Sequence, residues 1–264
     1  MKIIDLDITT QQSYFHCLED WSEDIREAGL HKADWYAVMK DKGLRVKLAI
    51  DETRNAPVGM IQYAPVEHTH ILGTNLYFIY CIWVHGYKQG IGNHQKKGIG
   101  TLLLTAAETD ARALGAQGIA AWGLSLPVWM KASWFKKHGY QKVDKDGIAL
   151  LMWKPFNSSA APPQWIHQTT KHDFVNPGKV TVTSFVNGWC PAQNLACERA
   201  KRAAASFGDD VIFNEIHTLD KEVFSKWCIS DALYIDNKQI NTGPPPTLKK
   251  LTNAIGKRVT QISR

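Results

Sequence analysis

At 264 residues, with 44% hydrophobic and 21% charged side chains, the chain is long enough to bury a core. It can hold one large domain or two ordinary ones, and wholesale disorder is excluded. Its longest uninterrupted apolar run, Leu76 to Val84, falls far short of the roughly 20 residues of a membrane-spanning helix. The net charge of +6 divides at Phe156 into +2 and +4 with no dense basic run, so neither a nucleic-acid nor a membrane partner is expected.

The chain opens with a short strand, Lys2 to Asp5, and shows no apolar leader at its N-terminus. Helices are predicted over Thr10 to Trp21 and Ala33 to Lys42. Strands follow at Val46 to Ile50 and Val58 to Tyr63, joined across Asn55-Ala56-Pro57. Tyr77 to Val84, rich in aromatic and β-branched residues, gives the strongest strand signal. A Gly-rich loop leads into a helix over Ile99 to Leu114. Its apolar stripe Ile99, Leu102, Leu103, Ala106, Ala107 has helical spacing, and Gly115 stops it. A short strand at Ile119 to Trp122, a helix at Trp129 to Lys137, and a hairpin of Tyr140 to Val143 with Ile148 to Trp153 complete a first domain, residues 1–155.

The small, polar, Pro-rich stretch after Lys154-Pro155 reads as a linker, residues 156–178. Beyond it the pattern is β-α-β-α-β-β-α: Val180 to Val186, Pro191 to Phe207, Val211 to Ile216, Lys221 to Trp227, Ala232 to Ile235, Gln239-Ile240 and Thr247 to Val259. The second domain is therefore residues 179–264. Five irregularly spaced cysteines make no disulfide scaffold, and a reducing, cytoplasmic setting is expected.

The most informative segment is Gln95-Lys96-Lys97-Gly98-Ile99-Gly100, between the strongest strand and an amphipathic helix. Glycines let backbone approach a ligand closely, and the first helical amides with the helix dipole favour an anion. It is not a Walker loop, since no Gly-Lys-Ser/Thr follows at the required spacing. It is not a dinucleotide fingerprint, since Leu103 stands where the third glycine belongs.

This Gln-x-x-Gly-x-Gly, followed by a Leu-rich helix, resembles the acyl-CoA signature of the GNAT superfamily of N-acyltransferases. Trp134-Phe135-Lys136-Lys137-His138-Gly139-Tyr140 is similar to the family's aromatic-rich helix ending in His-Gly-aromatic. The resemblance implies an α/β (α+β) fold with a mixed, splayed sheet flanked by helices, and acetyl-CoA or another acyl-CoA as donor. It places pantetheine against Ile82, Trp83 and Val84 and pyrophosphate on Gln95, Lys96, Lys97, Gly98, Ile99, Gly100 and Thr101. Tyr87-Lys88-Gln89-Gly90-Ile91-Gly92 echoes the motif eight residues earlier, but no apolar stripe follows it. The pyrophosphate is therefore assigned to the second copy. For the long loop 86–94, a cover over the substrate mouth and a disordered excursion both remain open.

The family's usual general acid, a tyrosine, falls at Phe135, which has no proton to donate, and the Asn often found upstream falls at Val128. Ser133, Tyr140 and Lys131 are the replacements in reach, and a thiolate can also leave with help from water. His85, just after the key strand, is the candidate base, with a loop histidine that only makes surface hydrogen bonds as the alternative. Cys81 reads as packing. His68 and His70 have no third ligand at matching spacing, so no metal is expected. Trp122, Trp129, Trp134 and Trp153 flank the cleft in sequence; the wall of an apolar acceptor pocket and core packing account for them equally well. The acceptor is expected to be a small-molecule or peptide amine.

In the second domain, Cys190-Pro191 after a strand and turn places a thiol where a helix start stabilises thiolate. The pattern resembles the thioredoxin-like fold, and the whole chain resembles YoaP-like acetyltransferases with a small C-terminal domain. Gln193 stands where the redox pair's second cysteine belongs, and no proline precedes Ala232. Cys197 lies about 10 Å along the helix from Cys190, beyond the roughly 7 Å that a disulfide spans. The rival expectations are a thiol-dependent redox or thiol-ligand protein using Cys190, with the first domain as a CoA sensor, and an interaction module that no longer catalyses.

Overall fold

A computed structural model describes residues 1–126, 128–167 and 172–262. In chain order the first elements are β1 (Lys2–Asp5), α1 (Gln11–Phe15), α2 (Glu23–Glu27), α3 (His31–Met39), β2 (Arg45–Asp51), β3 (Ala56–Pro65), β4 (Ile71–Leu72) and β5 (Leu76–Val84). Then come α4 (Ile99–Ala113), β6 (Gly118–Leu124), α5 (Ala132–Lys137), β7 (Gln141–Asp146), β8 (Ala149–Pro155) and β9 (Gln164–Trp165). The last are β10 (Val180–Val186), α6 (Pro191–Ala205), β11 (Val211–His217), α7 (Lys221–Trp227), β12 (Ala232–Ile235), β13 (Lys238–Ile240) and α8 (Leu248–Ile262). The chain divides into two compact units, residues 1–21 with 36–167, and residues 22–35 with 168–264.

The first unit carries a mixed seven-stranded sheet, β1-β2-β3-β5-β6-β8-β7. Every neighbouring pair is antiparallel except β5 and β6. That parallel pair runs only from Leu76↔Gly118 to Ile79↔Ala121. The reason is local. Gln62 pairs with Cys81 but Tyr63 with Ile79, so Tyr80 is the extra residue of a bulge in β5. A bulge bends its strand and increases its twist. Beyond it β5 and β6 separate, and the sheet is splayed as the resemblance implies.

α4 buries Ile99, Leu103, Leu104, Ala107 and Ala111 in the sheet's core, so the stripe runs through Leu104 and Ala111, and the expected Leu102 is exposed at 47%. Gly59 permits the approach, since a Cβ there would lie 3.0 Å from both Ile99 and Leu103. The helix is clamped by Asp110, which accepts from Arg45 Nε (2.9 Å), Lys47 Nζ (3.1 Å) and the Tyr63 hydroxyl (2.7 Å).

The second unit carries a four-stranded sheet, β11-β10-β12-β13, with β10 and β11 parallel and the other pairs antiparallel. All seven residues of β10 are buried, and α6 and α8 contribute Ala200, Ala203, Ala204, Leu251 and Ile255 to the core around it. The β-α-β-α-β-β-α order agrees with the sequence reading. Among the described residues, no helix is long and apolar enough to cross a membrane.

Several expectations need correction. The helix predicted over Thr10 to Trp21 ends at Phe15, because Cys17 and Leu18 take positive φ (49° and 65°). The helix predicted from Trp129 begins only at Ala132. Met130 has φ 53°, and Lys131 bridges to Leu124 as extended chain. The stretch 156–167, read as linker, belongs to the first unit. Its β9 pairs with β4, the Trp165 ring stacks on His70, and Asp144 accepts from the Trp165 amide (2.8 Å). Residues 168–171 of the expected linker, and 263–264 of the second domain, lie outside the described residues.

Residues 22–35, expected in the first domain, belong to the second unit. Arg199 of α6 bonds Asp24 (2.7 Å) and Glu27 (2.8 Å), and Glu198 accepts from His31 (2.8 Å). The Trp35 side chain sits over Gly188, where a Cβ would lie 3.0 Å from its own.

Candidate functional site

A cavity of about 400 Å³ opens where β5 leaves β6, within the first unit. Three elements build it: the end of β5, the start of α4, and the turn into α5. Gly98 caps α4 in the left-handed region (φ 77°), and no side chain caps the helix. The Thr101 and Leu102 amides close on the Gly98 carbonyl (3.0 and 3.1 Å), so the Ile99 and Gly100 amides precede the first intrahelical bonds. No acidic residue lies in the first turn. Lys96 and Lys131 are the cations of the lining. Amides free of intrahelical bonds, the helix dipole and nearby cations together make an anion seat.

The opposite wall is aromatic. Trp129, Trp134 and Phe135 all line the cavity. Trp134 packs over Gly100, where a Cβ would lie 3.4 Å from its ring. His138 fixes this corner: Nδ1 donates to the Trp134 carbonyl (2.9 Å), which leaves Nε2 to accept from the Thr101 hydroxyl (3.0 Å). Trp129 Nε1 donates to the Ile82 carbonyl (3.3 Å) and Gln95 Nε2 to the Val84 carbonyl (3.3 Å). Trp122 lies behind, donating to the Tyr80 carbonyl (2.8 Å) and meeting Trp129 edge to face. Two indoles thus occupy β5 carbonyls that lost their strand partner at the splay.

Most of the expected binding residues come together here. Ile82, Trp83, Val84, Gln95, Lys96, Gly98, Ile99, Gly100 and Thr101 line the cavity; Lys97 is exposed and does not. The expected catalytic residues do not gather. Ser133 is exposed on α5 outside the lining, and Tyr140 is buried with burial pushing its phenol far up. Phe135, fully buried, lines the cavity from that helix together with Trp134.

His85 is fully buried and outside the lining. Its Nδ1 donates to the Gly92 carbonyl (2.8 Å), so Nε2 accepts from Trp21 Nε1 (3.3 Å). With both nitrogens engaged, His85 holds the loop rather than facing the cleft. The loop's ends are tied by the His94 amide on the His85 carbonyl (2.8 Å). Gly90 lies against Trp21, where a Cβ would come within 2.3 Å of the ring. The first motif copy is therefore used for packing, while the second starts the helix. His85→Ala is expected to release this loop, read as faster tryptic cleavage after Lys88 than in wild type.

Sequence reasoning missed the roles of Trp129 and Gln95 as donors to β5, since both depend on the splay. Among the described residues, no three His, Cys, Asp or Glu side chains gather as metal ligands.

Residues 10–128 match the model of the acetyltransferase (GNAT) family. The solved structures similar to this chain include an aminoglycoside 6'-acetyltransferase type Ii, at 19% identity and TM-score 0.45 over 59% of this chain and 97% of that one. Another is a GNAT family acetyltransferase from Brucella melitensis in complex with acetyl-CoA, at 14% identity and TM-score 0.41 over 62% and 92%. A third is the aminoglycoside 6'-N-acetyltransferase from Enterococcus faecium, at 15% identity and TM-score 0.43 over 61% and 100%. No curated protein matches the sequence.

Proposed function

We propose that the chain is an acyl-CoA-dependent N-acyltransferase that passes an acetyl or other short acyl group to a primary amine by direct attack. The observation that carries this reading is the uncapped start of α4 beside Lys96, opening into a cavity at the splay of β5 and β6. The family match over residues 10–128 supports it. The residues fit the donor: amides at Ile99 and Gly100 suit a pyrophosphate, and the wall of Trp129, Trp134 and Phe135 suits an apolar arm. Bound there, acyl-CoA supplies the activated acyl group. Phe135 donates no proton, so the reading leaves protonation of the departing thiolate to water. Calorimetric titration of the reduced protein with acetyl-CoA tests it. Saturable one-to-one binding is expected, and no binding would overturn the reading.

The second unit supports a second reading. Cys190 is the N-cap of α6 with Pro191 at its first position, and the strand order β11-β10-β12-β13 is compatible with a thioredoxin-like scaffold. Cys197 is buried, which pushes its thiol up to about 12, so a redox or thiol-ligand role would rest on Cys190. Loss of function in Cys190→Ser with acetyl-CoA binding intact would favour that reading and make the first unit a sensor.

A further inference from the structure

The second unit has a cleft of its own, about 1240 Å³, between α8 and the turn that joins β12 to β13. One face of α8 lines it: Lys250, Lys257, Arg258 and Gln261 fall at helical spacing, with Lys249 beside them. The other face is packed, with Leu251 and Ile255 in the core. Lys238, at the start of β13, lines the strand side.

The cleft holds five cations, Lys238, Lys249, Lys250, Lys257 and Arg258, against one carboxylate, Asp236. The four lysines are exposed, and their ammonium groups have no ion-pair partner among the described residues. A solvated helix face ordinarily interleaves acids with its cations, but α8 contains no Asp or Glu. Outside the cleft the charged residues after Phe156 balance, eight basic and eight acidic, so the +4 surplus of this part lies in the cleft. No basic run announces it in the sequence. The five positions are spread from 238 to 258, and only the packing of α8 beside the β12–β13 turn gathers them.

Asp236 is spent inside the unit. It is buried, with Oδ1 accepting from the Thr181 amide (2.9 Å) and Oδ2 from Arg258 Nε (2.5 Å). Arg258 Nη1 donates to Gln261 Oε1 (3.3 Å). The guanidinium is thus held by its Nε, and Nη2 has no bonded partner among the described residues.

These features define the class of ligand. Lys250 and Lys257 lie about 10 Å apart along the helix, so a lone phosphate or sulfate cannot meet both, whereas a run of anionic groups can. Lysines serve phosphate as point charges. Carboxylates favour the two-pronged arginine fork, and the one arginine here already has its Nε engaged. Among the described residues no aromatic side chain lines the cleft, so nothing stacks a nucleobase. We propose that the cleft binds a run of linked phosphates, carried by an inorganic polyphosphate or by the phosphate arm of a nucleotide. It is a different site from the seat at α4 and does not depend on the acyltransferase reading.

The test is calorimetric titration of the full chain with sodium tripolyphosphate, with inorganic phosphate and ATP as comparisons and thermal unfolding to confirm the fold of each variant. Saturable one-to-one binding of tripolyphosphate is expected, and none of inorganic phosphate at the same concentrations. Lys250→Gln/Lys257→Gln should weaken binding by about tenfold or more, since two charged hydrogen bonds are lost. Lys179→Gln/Lys226→Gln removes the same charge from exposed residues outside the lining and should leave binding as in wild type. So should Gly98→Glu/Gly100→Glu, which blocks the seat at α4. For a longer polyphosphate, the slope of log affinity against log salt should fall by about two in Lys250→Gln/Lys257→Gln. ATP bound no tighter than tripolyphosphate supports recognition of the phosphates alone, and ATP bound tighter supports a nucleotide as their carrier. No saturable binding, unchanged affinity in a folded Lys250→Gln/Lys257→Gln, an equal loss in Lys179→Gln/Lys226→Gln, or loss in Gly98→Glu/Gly100→Glu would each overturn the proposal. Tighter binding of hexaglutamate, or of a short oligouridylate, would overturn it in favour of an acidic peptide or of single-stranded RNA.

Discussion

Replacing Gly98 and Gly100 together by glutamate is expected to abolish acetyl-CoA binding while the fold persists. The two carboxylates would stand at the start of α4, where the anion seat lies. At about 4–5 Å and an effective dielectric near 20, each unit of repulsion is worth roughly 3–4 kcal/mol, so at least a hundredfold loss follows. The fold is spared for reasons of geometry. A Cβ at Gly98 meets nothing within 4 Å, and one at Gly100 is 3.4 Å from the Trp134 ring. Gly98 does hold φ 77°, so its substitution costs about 1 kcal/mol of backbone strain. Acidic side chains at a helix start return about 0.3–1 kcal/mol each. Calorimetry with acetyl-CoA, beside thermal unfolding, reads both quantities. Gly98→Ala/Gly100→Ala separates charge from bulk: its affinity should fall far less.

Asp110→Ala is expected to cost about 2–3 kcal/mol of stability. It removes the acceptor for Arg45, Lys47 and Tyr63 together and leaves Lys47, 11% exposed, with only the exposed Asp5 as counter-charge. The same cluster makes stability acid-sensitive. Hydrogen bonds from Arg45, Tyr63 and Lys47 outweigh burial and hold the Asp110 carboxyl down at about 2. A depressed carboxylate contributes stability that is full above its ordinary pKa, here 3.8, and is lost as pH falls through about 2. A shift of this size corresponds to roughly 2 kcal/mol, cut to about 1 kcal/mol by solvent screening at a partly exposed cluster. Urea unfolding between pH 5 and 2 should therefore show a steeper decline in wild type than in Asp110→Ala, which keeps only the contributions of other depressed carboxylates such as Asp7, Asp51 and Asp144. Parallel curves would dismiss the clamp.

What could be read from the sequence is what is encoded locally. β1, β10, α7 and β12 take the expected bounds because apolar alternation and turn residues frame each of them. The start of α4 was legible because the stripe follows only the second Gly-x-Gly copy. The splay was not legible in the residues themselves, because it depends on one extra residue, Tyr80, in the pairing of β5 with β3. The donors Trp129 and Gln95 inherit that blindness. His85 shows a different limit. A histidine after a key strand reads as a base, but its ring nitrogens are committed to Gly92 and Trp21, distant partners that only the closed loop brings near. The start of α5 was misplaced because Met130 takes a positive φ that no local rule assigns to methionine.

The membership of residues 22–35 bears on how this protein can be taken apart. No single cut yields two whole pieces. A fragment beginning at residue 168 would lack Asp24 and Glu27, and so would strip Arg199, whose side chain is 11% exposed, of its carboxylate partners. It would also lose Trp35 from over Gly188. A fragment ending at residue 167 would keep a segment whose partners had gone. The second unit becomes a portable module only if 22–35 is grafted onto it, and the first only if the chain is rejoined between residues 21 and 36. An ancestor assembled by simple end-to-end fusion would have had to acquire this interleaving afterwards, so the boundary to look for in related chains is a pair of breakpoints rather than a linker.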